Sequence, residues 1–567
     1  MKSADTSVWT SVNGLALADR VPADLRAAWT ARGLCPGRDL YTLFREHVRA
    51  APERAAVIDE TGGLDYTALD ARVRRAATAL AGTGLGPADI LGVLLPNGRD
   101  AVVAELAIAA IGAVALPIPH MRGHRDVARL LDRSRAGALI TAPAMIETAA
   151  AVRPGLPYLR ELWTFGTPPN GARSLDHASA GEIRNWRPAR PDAEAPARIL
   201  ISSGSTSAPK MIAYSHNAMA GGRGNYLAAL RHGPGPMRGL VLVSLASSYG
   251  SLGTSVILAR HGGTLVLQSR FDDAAALRAI ERHRPTHVFG VPTMLRRMAE
   301  SDAAADTDVS SLRAVISSAA PLHRQVRDAC VRRFGLPPVN IYGSSDGVNC
   351  HTGRVSGRWA PGLAGVPDPD VAEITVRDTA GRPVPAGQAG EIWARGPMSP
   401  LCYVAAPDLD ARYRAPGGWV RTGDLGRLDT DGTLWVVDRI KRVVIRGGLS
   451  VSPLEAEREL STHPDIADVY CLPVQDPDLG ERMCACVAPR SGARPPTPAE
   501  MIAFLREHGV ETRQLPERFV VLPELPLGPT GKVCTATLTR IAAESAVPVP
   551  GSTGAATPLR TDTRGNR

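Results

Sequence analysis

Short apolar runs alternate with longer amphipathic segments along most of this chain, and that alternation limits the fold more than any other feature. "ILGVLLP" precedes a long apolar stretch at 101–118, and "GALITA" follows "DVARLLDRSRA". Further on, "HVFGVP" precedes "TMLRRMAE", and "AVISSA" precedes "LHRQVRDACVRRF". A brief apolar run bounded by turn signals suits a strand buried on both faces. Such strands, alternating with helices, stack into α/β layers around mainly parallel sheets. From about residue 380 the texture changes to short strands and tight turns ("GEIWARG", "LDTDGTLWVVD", "RVVIRGG"), the pattern of antiparallel ribbons. After "DRIKR" at 438–442 a smaller α/β pattern begins, with a helix near 453–462 and strands near 467–474 and 483–488. It runs to about 540. The closing "VPVPGSTGAATPLRTDTRGNR" is polar and rich in Pro, Gly and Thr, the composition of a disordered tail. No internal repeat is visible.

At 567 residues the chain is too long for one compact core, which implies roughly two to four domains. A net charge of +9 is modest for that length, and the arginines are scattered through helical stretches beside acids. There is no basic block or recognition module, so nucleic-acid binding is not expected. The stretch "AVVAELAIAAIGAVALPI" approaches membrane-spanning length, but it contains Glu105 and many small residues and follows a strand-and-turn pattern. A helix buried in an α/β domain is the expectation. The opening "MKSADTSVWTSV" lacks the apolar core of a signal peptide. The eight cysteines are widely spread and lack zinc-finger spacing. Free buried thiols in a reducing cytoplasm are expected.

Lysine is nearly absent. It occurs only at Lys2, Lys210, Lys441 and Lys532, against 61 arginines. Where composition presses toward arginine, a retained lysine marks a place that does not accept the larger planar fork. Lys210 ends the loop "ISSGSTSAPK", which follows the strand-like "ARILI". A Ser/Thr/Gly loop closing on lysine can hold phosphates through backbone N–H groups, hydroxyls and one point charge. It is not a Walker A loop, because the G-x-x-x-x-G-K-[ST] spacing is absent.

Four further stretches occur in order with this loop. They are "SSAAPL" (317–322), "IYGSSDG" (341–347), "GWVRTGDLGRLDTDGTLWVVDRIKRVVIRGGLSVSPLEAE" (418–457) and "LPLGPTGKV" (525–533). Together the five resemble the adenylate-forming superfamily of acyl- and aryl-CoA synthetases, carrier-protein-loading adenylation enzymes and luciferases. The resemblance runs from about residue 40 to 540. It implies a large domain of layered α/β subdomains plus a β-barrel-like subdomain over 1–438, and a hinge at 439–442. A small mobile α+β domain would follow over 443–545, with the tail at 546–567.

The resemblance also assigns roles. An acyl-adenylate forms when a carboxylate attacks the α-phosphate of ATP and expels pyrophosphate, so two anions must be brought together by positive charge. Lys532 would bridge carboxylate and α-phosphate. Ser202, Ser203, Gly204, Ser205, Thr206 and Lys210 would hold the outer phosphates. Thr206 and Asp346 would support Mg²⁺. Ala319, Ala320 and Pro321 would lie along adenine with Tyr342, continued by Gly343, Ser344 and Ser345. Asp424 would accept hydrogen bonds from the ribose hydroxyls, assisted by Arg439. Lys441 would sit at the hinge about which the small domain rotates between half-reactions, turning the "RGG" at 446–448 toward an incoming thiol. The acyl pocket would be lined by Ser247, Ser248, Tyr249, Gly250, Ser317 and Ser318.

Departures from the family pattern are Ser207 and Met211 for glycines, Asp346 for Glu, Asp438 for Gly and Gly528 for Thr. None removes an essential charge. Where relatives carry an aromatic and a His, this chain has Ala246 and Ser247, which suits a compact aryl or short polar acid. The segment "ALPIPHMRGHRDVARLL" resembles the aryl-acid branch. The expected function is an ATP-dependent ligase passing its acyl group to CoA or a carrier-protein thiol in secondary metabolism, as a cytoplasmic monomer or homodimer. Two alternatives are a family member that activates nitrite for diazotisation of an aryl amine and an inactive ATP-binding scaffold.

Overall fold

Parallel strands form where the sequence is apolar without alternation. The structure is a computed structural model describing residues 7–168, 171–202, 209–230, 233–304, 306–354, 359–440, 442–446, 449–528 and 533–548. In it Pro196–Ile201, Ile90–Leu94 and Ala314–Ser318 are strands buried at every position. Burial on both faces requires helices above and below, and the intervening amphipathic segments supply them. The described residues divide into two compact units, one running to Ile440 and also taking in Leu527 and Gly528, the other holding the rest of the chain after Ile440.

The first unit holds two eight-stranded sheets. One runs Cys402–Tyr403, Met211–Ser215, Pro196–Ile201, Val114–Pro117, Ile90–Leu94, Ala138–Thr141, Glu161–Thr164 and Arg173–Ser174. Its neighbours are parallel from Pro196–Ile201 onward and antiparallel before it. The other runs Val348–His351, Val339–Ser344, Ala314–Ser318, His287–Gly290, Arg238–Val241, Thr264–Leu267, Ala55–Asp59 and Gly62–Asp65. It is parallel inside and closed by an antiparallel hairpin at each end. The region past 360 forms an antiparallel sheet in the order Leu363–Gly365, Leu434–Arg439, Trp419–Leu428, Gly390–Arg395, Glu373–Arg377, with Arg414–Ala415 paired to Trp419–Leu428.

The apolar stretch at 101–118 corrects one expectation. It is not a single helix: helix Arg99–Ala110 ends, Gly112 takes φ +74°, and the chain continues as strand Val114–Pro117. Glycine adopts that left-handed turn without a Cβ clash. No helix among the described residues is long and apolar enough to cross a membrane. Glu105, midway along this buried helix, accepts a hydrogen bond of 2.6 Å from Arg198 Nη1, and both side chains are about as buried as the core around them. Arg198 Nη2 donates to the Leu245 carbonyl, also at 2.6 Å.

In the second unit the strand order is Leu449–Val451, Val444–Arg446, Gly480–Pro489, Arg518–Val521, Val547–Pro548, with Ile466–Asp476 paired to Gly480–Pro489. Helices Leu454–Leu460, Pro498–Glu507 and Thr535–Ser545 accompany it. Val547–Pro548 pair with Arg518 and Phe519, so ordered structure extends past 545. The expected tail from 549 onward lies outside the described residues. All eight cysteines are free, and all but Cys534 are buried.

Removing one member of a buried ion pair strands the other charge and costs about 3–5 kcal/mol. Glu105→Ala should therefore lower the first unfolding transition in a urea titration by that amount. A loss below about 1 kcal/mol, the range of a surface pair, would show that Arg198 is not depending on it.

Candidate active site

The phosphate-loop candidate sits between two strands whose pairing positions its ends. Pro196–Ile201 leads in, Met211–Ser215 leads out, and Ile201 pairs with Met211. Ser202 N donates to the Lys210 carbonyl at 2.9 Å, closing the base of the loop. Ser203, Gly204, Ser205, Thr206 and Ser207 lie outside the described residues, as do Lys441, Gly447, Gly448 and Lys532.

Lys210 reaches Asp346. Its Nζ lies 3.5 Å from Asp346 Oδ1, 3.9 Å from the Tyr413 ring centroid and 5.3 Å from that of Tyr403. Asp346 follows strand Val339–Ser344, where the chain turns back into Val348–His351. The Tyr403 hydroxyl donates to Asp346 Oδ1, and the Ser344 hydroxyl donates to Oδ2 at 2.7 Å. Burial pushes the Asp346 carboxyl up, but Lys210, the two hydroxyls and Arg414 outweigh it and hold it below the usual carboxylate range. The Tyr214 hydroxyl donates to the Ser345 carbonyl at 2.7 Å, fixing the turn to the strand that carries Met211.

A second cluster joins the adenine and ribose candidates. The Tyr342 hydroxyl donates to Asp424 Oδ2 at 2.7 Å, and Arg439 Nε donates to Oδ1 at 3.1 Å. Asp424 and Arg439 face each other across the antiparallel strands Trp419–Leu428 and Leu434–Arg439. Burial raises the Asp424 carboxyl above its ordinary range despite the pull of Arg439 and Tyr342. Burial, with Asp424 beside it, likewise raises the Tyr342 phenol. Ala319 has φ +80°, a left-handed conformation that L residues avoid. It follows strand Ala314–Ser318 directly, and Ala320 and Pro321 are exposed beyond it. Ser318 Oγ donates to the Ile341 carbonyl at 3.0 Å, binding this edge to the strand that bears Tyr342 and Gly343.

The pocket candidates are tied into the scaffold. Ser247 Oγ donates to the Ser244 carbonyl at 2.7 Å and accepts from Gly250 N at 2.9 Å. A Cβ on Gly250 would stand 2.0 Å from the Ser244 carbonyl oxygen, so no other residue fits that turn. Arg223 donates to the Ser248 carbonyl at 2.9 Å, to Ser248 Oγ at 3.1 Å and to Ser251 Oγ at 2.6 Å. Tyr249 OH donates to the Ile316 carbonyl at 3.1 Å. Ser317 Oγ is buried with no hydrogen-bond partner among the described residues. The hydroxyls of Ser247 and Ser248 thus serve local structure, and Ser317 alone of the pocket serines keeps an unspent hydroxyl.

Tyr403, Tyr413, Tyr214 and Arg223 belong to the site although the sequence does not single them out. Tyr403 precedes helix Pro407–Tyr413 and Tyr413 is its last residue, and only the fold carries them to Lys210. Among the described residues no group of three or more His, Cys, Asp and Glu side chains could hold a metal ion.

Comparison with known proteins identifies the family. The sequence model of the AMP-binding enzyme family matches residues 44–404, and that of the AMP-binding enzyme C-terminal domain matches 455–532. The chain is 31% identical to the 2-hydroxy-7-methoxy-5-methyl-1-naphthoate–CoA ligase of Streptomyces carzinostaticus, over 90% of this chain and 94% of that protein. It is 32% identical to the salicyl-AMP ligase / salicyl-S-ArCP synthetase of Mycobacterium tuberculosis, over 90% and 92%. Among solved structures, the amide bond synthetase McbA of Marinactinospora thermotolerans superposes with a TM-score of 0.78 at 29% identity, covering 89% of this chain and all of that one.

The depressed Asp346 carboxyl makes stability depend on pH with a definite sign. A group whose folded pKa lies below its unfolded value contributes above the unfolded value and loses that contribution as pH falls through the folded one. Wild type should exceed Asp346→Asn by about 1.5–3 kcal/mol near neutrality, the range for hydrogen bonds to a charged group. The gap should narrow as pH drops below about 4. Urea titrations of both proteins across that range measure it, and a gap indifferent to pH would mean Asp346 is not the ionised centre of the cluster.

Proposed function

Because this chain belongs to the AMP-binding enzyme family and is an AMP-forming ligase that adenylates acids, we propose that its substrate is a small aryl or short polar acyl acid and that its acceptor is the thiol of CoA or of a carrier protein. The observation that carries the reading is the Lys210–Asp346 pair, 3.5 Å apart at the mouth of the Ser/Thr loop, with the Tyr342–Asp424–Arg439 chain in the same unit. A cation at the end of a phosphate loop and a carboxylate chain suited to ribose hydroxyls are what nucleotide activation requires.

In this reading the 202–210 loop grips the outer phosphates of ATP, and Lys210 neutralises them as pyrophosphate departs. Asp424 is buried and held by Tyr342 and Arg439, so its carboxylate is oriented before ribose arrives. Tyr342 and the strained Ala319 edge flank the base. Asp346 fits Mg²⁺, which binds through one or two carboxylates together with substrate phosphates, and Thr206 is the second protein oxygen proposed. That ion supplies charge neutralisation on the phosphates. Lys532 brings the substrate carboxylate to the α-phosphate, and Lys441 is the point about which the small domain turns for the thiol step.

The aryl preference is supported by the naphthoate and salicyl relatives and by the short side chains Ala246, Ser247 and Ser248. Ser317, buried with a hydroxyl that has no partner among the described residues, is the residue we propose to recognise a polar ring substituent.

ATP–pyrophosphate exchange over a panel of aryl, amino and short acyl acids, with nitrite included, tests the reading. Hydroxylated or aminated benzoates should give the strongest exchange. CoA, a phosphopantetheinylated carrier protein and simple amines, offered in turn, should show thioester rather than amide as the main product. Lys532→Ala should lower exchange by about 10²–10³-fold, as expected for loss of one transition-state cation. Exchange that depends on nitrite and on no carboxylate would overturn the proposal.

A further inference from the structure

The roles above leave one buried cation beside Lys210 unused. Arg414 opens the short strand Arg414–Ala415, immediately after helix Pro407–Tyr413. Its side chain is 7% exposed, and Nε, Nη1 and Nη2 are all buried without a hydrogen-bond partner among the described residues. Asp410 Oδ1 stands 3.9 Å from Nε, beyond hydrogen-bonding reach. That carboxylate is occupied elsewhere, since Oδ1 accepts from Tyr403 N at 2.9 Å and Oδ2 pairs with Arg20 at 3.5 Å. The Tyr403 ring, with its centroid 5.1 Å from Cζ, offers a π face and no acceptor. A guanidinium has five N–H donors, and burying all of them unpaired is costly unless an acceptor arrives.

The position of Arg414 narrows the acceptor. Both cations lie against the Tyr403 ring, whose centroid is 5.3 Å from Lys210 Nζ and 5.1 Å from Arg414 Cζ. Its hydroxyl ends on Asp346. Arg414 therefore shares an aromatic neighbour with the lysine that closes the phosphate loop, and its charge is felt by the Asp346 carboxylate that pairs with that lysine. Two cations of different shape, one a point charge and one a planar fork, suit a ligand with several negative charges and paired oxygens. A monocarboxylate has one charge, and the acid-pocket segment has its own arginine, Arg223, held by Ser248 and Ser251.

The geometry points to Arg414 as a second phosphate-binding cation, which together with Lys210 grips the terminal phosphates of a nucleoside triphosphate and the pyrophosphate that leaves. This rests on the adenylation reading above. The unpaired donors are then a cost borne by the empty enzyme and removed when phosphate oxygens accept from them.

The test uses the full chain as wild type, Arg414→Met and Arg414→Lys. Melting temperature is measured alone and with ATP, inorganic pyrophosphate or AMP, and KM for ATP and for pyrophosphate is taken from exchange kinetics. Arg414→Met removes the unpaired donors and keeps a side chain over Tyr403, while Arg20 and the Tyr403 amide still hold Asp410, so the unliganded protein should melt within a few degrees of wild type. Its KM for ATP and for pyrophosphate should rise about 10- to 100-fold, the worth of a charge-assisted hydrogen bond. Stabilisation by AMP, which lacks the terminal phosphates, should be unchanged. Arg414→Lys, which keeps the charge without the fork, should fall between. An Arg414→Met protein that melts lower alone yet binds ATP and pyrophosphate within about twofold of wild type would make Arg414 a structural stack on Tyr403 and overturn the inference. If Arg414→Met does not fold, an Arg414→Lys protein with wild-type KM for pyrophosphate overturns it equally. Wild type that binds neither ATP nor pyrophosphate would overturn the adenylation reading as well, which separates the two failures.

Discussion

Glu105 and Arg198 form an ion pair inside the first sheet's packing, and much of the site hangs from it. Arg198 lies on the strand that delivers the phosphate loop, Glu105 on the buried helix behind that strand, and the Leu245 carbonyl on the segment that leads to Ser247 and Tyr249. One guanidinium thus ties three separate stretches of chain. Asn97 braces the same segment from another strand end, accepting from Leu245 N at 2.8 Å and donating to the Val243 carbonyl at 3.0 Å. Charges so deeply buried are held only if every partner stays in place. The arrangement therefore resists small displacements of strand Pro196–Ile201 relative to the segment that leads to Ser247.

The layered fold was legible because strands buried on both faces have few alternatives to a parallel sheet. The boundary inside the stretch at 101–118 was not, because helix and strand there are equally apolar and only the left-handed Gly112 separates them. Periodicity cannot distinguish a buried helix from a buried strand when both lack a polar face. Asp346, Asp424 and Arg439 were singled out through motifs, and the fold places Asp346 beside Lys210 and pairs Asp424 with Arg439. What the motifs could not convey is that Ser247 and Ser248 spend their hydrogen bonds on Ser244, Gly250 and Arg223, so small size and not free hydroxyls is their contribution to the pocket.

Composition worked in both directions. Scarcity made each lysine conspicuous, and abundance made each arginine unremarked. Arg223 and Arg414 are two of 61, and nothing in their sequence context distinguishes them from residues on a solvated face. Burial does. Arg223 is enclosed by serine acceptors and the Tyr214 ring, whereas Arg414 lies against the Tyr403 ring with Asp410 at 3.9 Å and no hydrogen-bond acceptor in reach among the described residues.

Asp346 is a shorter carboxylate where the family pattern has Glu. With one methylene fewer it cannot swing far, and Tyr403 and Ser344 hold both of its oxygens. An anion arriving at Lys210 competes with Asp346 for the same ammonium, and at 3.5 Å that competition is worth a few kcal/mol at the dielectric of a partly buried site. The Tyr413 ring, 3.9 Å from Nζ, attracts the ammonium whichever anion holds it. Lys210 can therefore exchange partners without losing its place. Tyr403 and Ser344, with Arg414, favour the ionised Asp346 carboxylate whichever anion Lys210 holds.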